Sequence, residues 1–119
     1  PQLQPEGDLC RIVRIAEDPE MHLLTDDGRR LALLGIVIPP EQRAPVREYL
    51  LRYVVGKRVI VRLGDSVGAN GSICPAYVYL TNRLFVNRKM IEMGLARADR
   101  SCDHRYRRRF EEAEDKNGW

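Results

Sequence analysis

The sequence predicts an α+β domain, mainly β: five short strands wound into a Greek-key barrel with three helices, in the order βββαββαα. Three observations carry that prediction. Runs rich in Ile, Val and Leu recur along the chain, separated by Asp, Asn, Gly and Pro. After the third run the apolar spacing changes to the helical period, with Val46, Tyr49, Leu50, Tyr53 and Val54 in phase. Near the end, Tyr106, Phe110 and Ala113 form a single apolar stripe at i, i+4, i+7.

The first strand is expected at residues 9–16, Leu-Cys-Arg-Ile-Val-Arg-Ile-Ala, and Glu17-Asp18-Pro19 supplies a turn. Residues 20–25 and 29–35 are the next two strands. Between them stands Asp26-Asp27-Gly28, whose Asp-Gly pair tolerates positive φ and signals a hairpin. Pro39-Pro40 stops the third strand, and a helix runs from Glu41 to a C-terminal stop at Gly56. Residues 57–63 are the fourth strand. Residues 64–72, with three glycines and an Asn-Gly pair, are a loop, and residues 73–80 are the fifth strand. Residues 84–93 form a short helix ended by Gly94, with Val86, Met90 and Ile91 inward, and residues 103–116 form the last helix. One helix inserted after the third of five strands is the order of an OB-fold, a partly open barrel.

At 119 residues the chain is expected to be a single domain, 1–119, with residues 1–7 a flexible leading segment. Its 44% hydrophobic and 31% charged content is that of a globular chain, and no apolar run approaches a membrane span. A net charge of +3 permits contact with nucleic acid without demanding it. The chain opens on Pro1 rather than Met, so its native start is not shown and the sequence leaves the compartment open, an extracytoplasmic or secreted location being one expectation. Cys10, Cys74 and Cys102 lack zinc-site spacing. They read as small buried hydrophobes, or alternatively as a Cys10–Cys74 bridge, which would imply an oxidising compartment.

Residues 32–40 read Ala-Leu-Leu-Gly-Ile-Val-Ile-Pro-Pro. The segment resembles the third-strand motif of the staphylococcal nuclease family, Arg-Leu-x-Gly-Ile-Asp-x-Pro-Glu, with Leu33, Gly35, Ile36 and Pro39 matching. Further matches are Gly56-Lys57-x-Val59, Ala76-Tyr77-Val78-Tyr79, Val86-Asn87, Gly94-Leu95-Ala96, and Tyr106-x-x-x-Phe110-x-x-Ala113-Glu114. Each is weak alone, but in this order they span nearly the whole chain. The resemblance implies a domain related to calcium-dependent, phosphodiester-hydrolysing enzymes.

That chemistry needs oxygen ligands for a cation, a carboxylate for the attacking water, and guanidinium groups for developing phosphoryl charge. On the family's pattern, Ala32 replaces the first arginine, Val37 a metal-binding aspartate and Pro40 the general-base glutamate. The second arginine falls on Ile73 or an uncharged neighbour, and the first ligand falls on Asp18, Pro19 or Glu20. Losing one transition-state donor costs about 2.7–4 kcal/mol, and several are absent together. The resemblance therefore implies a catalytically inactive member acting as a binding or protein-interaction module, with no cofactor expected.

Two alternatives stand beside it. A displaced calcium site could use Asp18, Glu20 and Glu41 with Asp26 and Asp27, although these residues also read as turn, hairpin and helix-start residues. A single-stranded nucleic-acid module could use Arg97, Arg100, Arg105, Arg107, Arg108 and Arg109 with Tyr77 and Tyr79 as stacking groups. The acidic residues Asp99, Asp103, Glu111, Glu112, Glu114 and Asp115 among these arginines suit a mixed-charge solvated helix equally well. His22 and His104 stand alone in the sequence, without metal-ligand company.

Overall fold

The structure is a computed structural model that describes residues 7–17, 20–64, 73–101 and 103–116. Five strands make the main sheet: β1 (Asp8–Ala16), β2 (His22–Thr25), β3 (Arg30–Leu33), β5 (Arg58–Leu63) and β6 (Ile73–Leu80). They are hydrogen bonded in the order β1-β2-β3-β6-β5, and β5 pairs back onto β1. Strand β1 serves two neighbours in turn. Residues Asp8 to Arg11 pair with β5 and residues Ile12 to Ala16 with β2, and an irregularity between Ile12 and Arg14 lets the strand turn from one partner to the other.

The expected description, a five-stranded and partly open Greek-key OB-fold barrel in the order βββαββαα, is corrected in three respects. The sheet is mixed, because β3 and β6 run parallel while the remaining pairs are antiparallel. Its ring of ladders is complete. Two further strands, β4 (Ile36–Val37) and β7 (Arg97–Ala98), form a separate antiparallel ladder.

The extra ladder follows from Gly35. The third strand is expected to run to Gly35, but β3 ends at Leu33 and Gly35 adopts φ +83°, a conformation that side-chain-bearing residues rarely take. A Cβ there would lie 2.5 Å from His104 Cε1, so only glycine admits the imidazole. The chain turns at Gly35, and Ile36 and Val37 pair with Ala98 and Arg97 instead of prolonging β3.

Pro39 and Pro40 do stop the extended run, and a 3-10 turn (Pro40–Gln42) leads into helix α1 (Arg43–Tyr53). Its buried face is Val46, Tyr49 and Leu50, three of the residues the spacing places in phase, and Val54 just beyond it is buried too, but Tyr53 is a correction: it is 48% exposed. Helix α2 (Val86–Glu92) buries Val86, Asn87, Met90 and Ile91. Helix α3 (Arg107–Lys116) starts four residues later than expected and buries Phe110, Ala113 and Glu114. No helix among the described residues is long and apolar enough to cross a membrane.

The core includes Ile12, Leu23, Leu31, Val59, Val61 and Val78 from the main sheet, with Val46, Leu50 and Val54 of the α1 region. A second layer packs α2 and α3 on the face of β6 that carries Tyr77 and Tyr79. There Phe85, Tyr106 and Phe110 surround the Tyr77 ring edge-on, and Phe85 stacks on Tyr79 with centroids 4.3 Å apart. The Cys10–Cys74 bridge is not formed. Both are free thiols, carried on β1 and β6, which β5 separates in the sheet.

Candidate binding cleft

Three of the four positions to which the nuclease resemblance assigns charge meet in space. Ala32 from β3, Val37 from β4 and Pro40 from the 3-10 turn line one cleft of about 410 Å³, together with Met21, Leu33, Ile36 and Ile38. The turn at Gly35 brings this about by folding Ile36 to Pro40 back beside the end of β3. Ile73 is not part of the cleft; it starts β6 and stands opposite Arg30 in the parallel ladder.

Polar groups occupy the rim. They are Glu20, Arg43 and Asp99. Arg43 donates from its guanidinium to the Glu17 carbonyl oxygen. The Asp99 carboxylate accepts from the Ser101 backbone N–H at 3.0 Å and the Ser101 hydroxyl at 2.6 Å, and the Asp99 N–H donates to the Gly35 carbonyl at 2.9 Å. In the sequence Asp99 is one acidic residue among many near the C-terminus. Only the β4–β7 ladder carries it to the cleft.

The displaced carboxylate set is scattered. Asp18 lies outside the described residues. Glu41 is exposed on the 3-10 turn and does not line the cleft. Asp26 accepts from the Arg11 N–H at 3.2 Å, and Asp27 holds Arg29 at 3.0 Å, both at the β2–β3 hairpin. Hydrogen bonds from Thr25 and Arg29 hold the Asp27 carboxyl below the usual range. Among the described residues, no group of three His, Cys, Asp or Glu is arranged to hold a metal ion.

The arginines of the C-terminal region differ in their surroundings. Arg100 bridges to Glu114 at 2.7 Å, Asp115 at 3.5 Å and Glu111 at 3.6 Å, and Arg107 holds Glu111 at 2.9 Å. Arg105 and Arg109 lie 6.0 and 5.9 Å from the centroid of the Tyr106 ring. Arg108 is exposed on α3, and Arg97 is exposed on β7 opposite Val37. Tyr77 and Tyr79 are buried, at 3% and 8% exposure, so their faces are taken up by packing against α2 and α3 rather than open to bases. Burial, reinforced by the hydrogen bond to the Tyr106 hydroxyl, pushes the Tyr79 hydroxyl far above its ordinary value.

Two polar residues to which the sequence assigned no site role, Asn87 and His104, hold the turn at Gly35 in place. Asn87 on α2 is fully buried. Its Oδ1 accepts from the Val78 N–H at 2.9 Å, and its Nδ2 donates to the Leu34 carbonyl at 2.9 Å and the Ala76 carbonyl at 3.1 Å. It therefore ties α2 to β6 and to the turn that forms the cleft. His104 lies over Gly35. The Tyr106 backbone N–H donates to its Nδ1 at 3.3 Å, so Nδ1 is an acceptor and the Tyr77 hydroxyl, 2.8 Å away, donates to it. Nε2 then carries the hydrogen and is buried without a partner among the described residues. Burial pulls the imidazole below its usual range; Arg107 acts in the same direction, while Asp99, Asp103 and Glu111 oppose it.

No protein-family model matches the chain, and no curated protein matches it.

Proposed function

We propose that this chain is a catalytically inert binding domain that takes an apolar side chain of a protein partner into the cleft beside Gly35. One observation supports the reading. Ala32, Val37 and Pro40, the positions to which the nuclease resemblance assigns charge, converge on one cleft whose remaining floor is Met21, Leu33, Ile36 and Ile38. Alkyl and pyrrolidine side chains cannot ligate a cation, accept a proton or neutralise phosphoryl charge. They do suit an aliphatic or aromatic anchor, and the rim of Glu20, Arg43 and Asp99 offers polar contacts to the backbone around it.

Val37 is 48% exposed, so a charge there disturbs the cleft more than the fold. In NMR titrations with short peptides, those carrying Leu, Ile or Phe are expected to shift the Ala32 and Val37 signals, and Val37→Glu to abolish the shift while leaving the melting transition in place. Heat-denatured DNA incubated with calcium is expected to stay intact. Cleavage that stops on adding chelator overturns the reading in favour of a displaced metal site. Salt-dependent binding of single strands, lost when Arg105, Arg108 and Arg109 are changed to Glu, replaces it with the nucleic-acid reading.

A further inference from the structure

A second hollow, of about 280 Å³, lies between the end of β5 and the segment that leads into α3. It is lined by Leu34, Arg62, Leu63, Tyr77, Asp103, His104 and Arg105, and it shares no residue with the cleft. We propose that this hollow binds a small organic anion, a carboxylate or phosphate monoester carried on an apolar or aromatic stem, with Arg62 and Arg105 meeting the charge.

The charge balance points to an anion. Arg62 is half-buried on β5, opposite Tyr77 in the antiparallel register, and has no carboxylate partner among the described residues. Arg29, also half-buried, illustrates the usual arrangement, held by Asp27 at 3.0 Å and Asp8 at 3.3 Å. A guanidinium partly withdrawn from water without a counter-ion is a cost that a bound anion removes. Arg105 likewise has no carboxylate partner among the described residues. The acidic residue at the rim does little to offset the pair: the Asp103 side chain is 94% exposed and leans to Arg107 at 3.9 Å.

The rest of the lining points to the stem. Leu63 leaves 46% of its surface in water although it ends a core strand, and Leu34 lies beside it, close enough to Gly64 that a Cβ there would sit 2.7 Å from the leucine methyl. The Tyr77 hydroxyl hydrogen is committed to His104, so the phenol offers the ligand its ring rather than a donor. Two cations above an apolar floor select an amphipathic acid over a bare ion.

The full chain is titrated at fixed ionic strength with phenyl phosphate, benzoate and inorganic phosphate, followed by calorimetry and by the arginine Nε–Hε signals. Phenyl phosphate or benzoate is expected to saturate and to shift Arg62 and Arg105, binding roughly tenfold or more tightly than inorganic phosphate because the stem is buried. Arg62→Gln is expected to weaken binding by about tenfold. Arg105→Gln, at an exposed position that leaves the fold intact, weakens it as well. Arg58→Gln, on the exposed start of the same strand, and Val37→Glu in the cleft leave it unchanged. Equal affinity for phenyl phosphate and inorganic phosphate, equal weakening by Arg58→Gln and Arg62→Gln, or the lack of any saturable shift overturns the proposal.

Discussion

Asn87 shows how much a single polar side chain contributes when nothing else can replace it. It is 0% exposed and makes three hydrogen bonds, accepting from the Val78 N–H and donating to the carbonyls of Leu34 and Ala76, the last of which also accepts from the Leu34 N–H. Asn87→Ala is expected to cost about 3 kcal/mol or more, since each stranded buried group costs roughly 1–3 kcal/mol; urea denaturation measures it. Asn87→Asp keeps the acceptor for the Val78 N–H but sets a carboxylate against two carbonyl oxygens, so it is expected to be no better tolerated than alanine. In the sequence, Asn87 is an asparagine within a predicted helix. Its partners lie on a strand and a turn, and no local pattern announces them. Gly35 was legible in part: its identity marks a special backbone position, but that His104 is the group filling the space of the missing Cβ follows from the way the C-terminal segment packs back.

Among elements, those with a strong period were readable and those with two residues were not. Strand β6 has the bounds its β-rich run predicts, and α1 buries the face its spacing predicts except for Tyr53, which is exposed. Strands β4 and β7 are too short to have a period, and they exist because the turn at Gly35 presents Ile36 and Val37 to Ala98 and Arg97. Helix α3 owes its seat to more than its apolar stripe. Glu114 faces inward at 6% exposure, and Arg100, ahead of the helix, reaches it at 2.7 Å. Arg100→Gln leaves that buried carboxylate without its guanidinium, so amide exchange across α3 is expected to quicken while β5 and β6 stay protected. Unchanged exchange in α3 would mean that Phe110 and Ala113 alone seat the helix.

For the molecule as a whole, pH acts through the two histidines. Burial pulls both His22 and His104 below the ordinary 6.5, with Arg30 adding to it at His22. The unfolded chain therefore binds these protons more readily. Their contribution to stability is fully present above about pH 6.5 and is lost as pH falls through the depressed values. The depressed carboxyls of Asp27 and Glu111 act in a separate, more acidic window. Denaturation midpoints measured from about pH 8 to 5 are expected to fall for the natural chain, and the double variant His22→Leu, His104→Gln to show a flatter decline whatever its absolute stability. The same scale governs the cleft. Ala32, Val37 and Pro40 are near neighbours in sequence, yet they face one space only because the backbone reverses at Gly35.

What the sequence by itself determined is the succession of long strands and helices, the stops at Pro39 and Gly94, and the uncharged side chains at Ala32, Val37 and Pro40, because periodicity, backbone chemistry and side-chain identity are local properties. Tertiary structure alone decided the parallel pairing of β3 with β6, the β4–β7 ladder, the arrival of Asp99 at the cleft and the meeting of Arg62 with Arg105 around one hollow. Each of these joins residues far apart in the chain, and such contacts depend on how the sheet and the C-terminal helices pack, which no single window of sequence encodes.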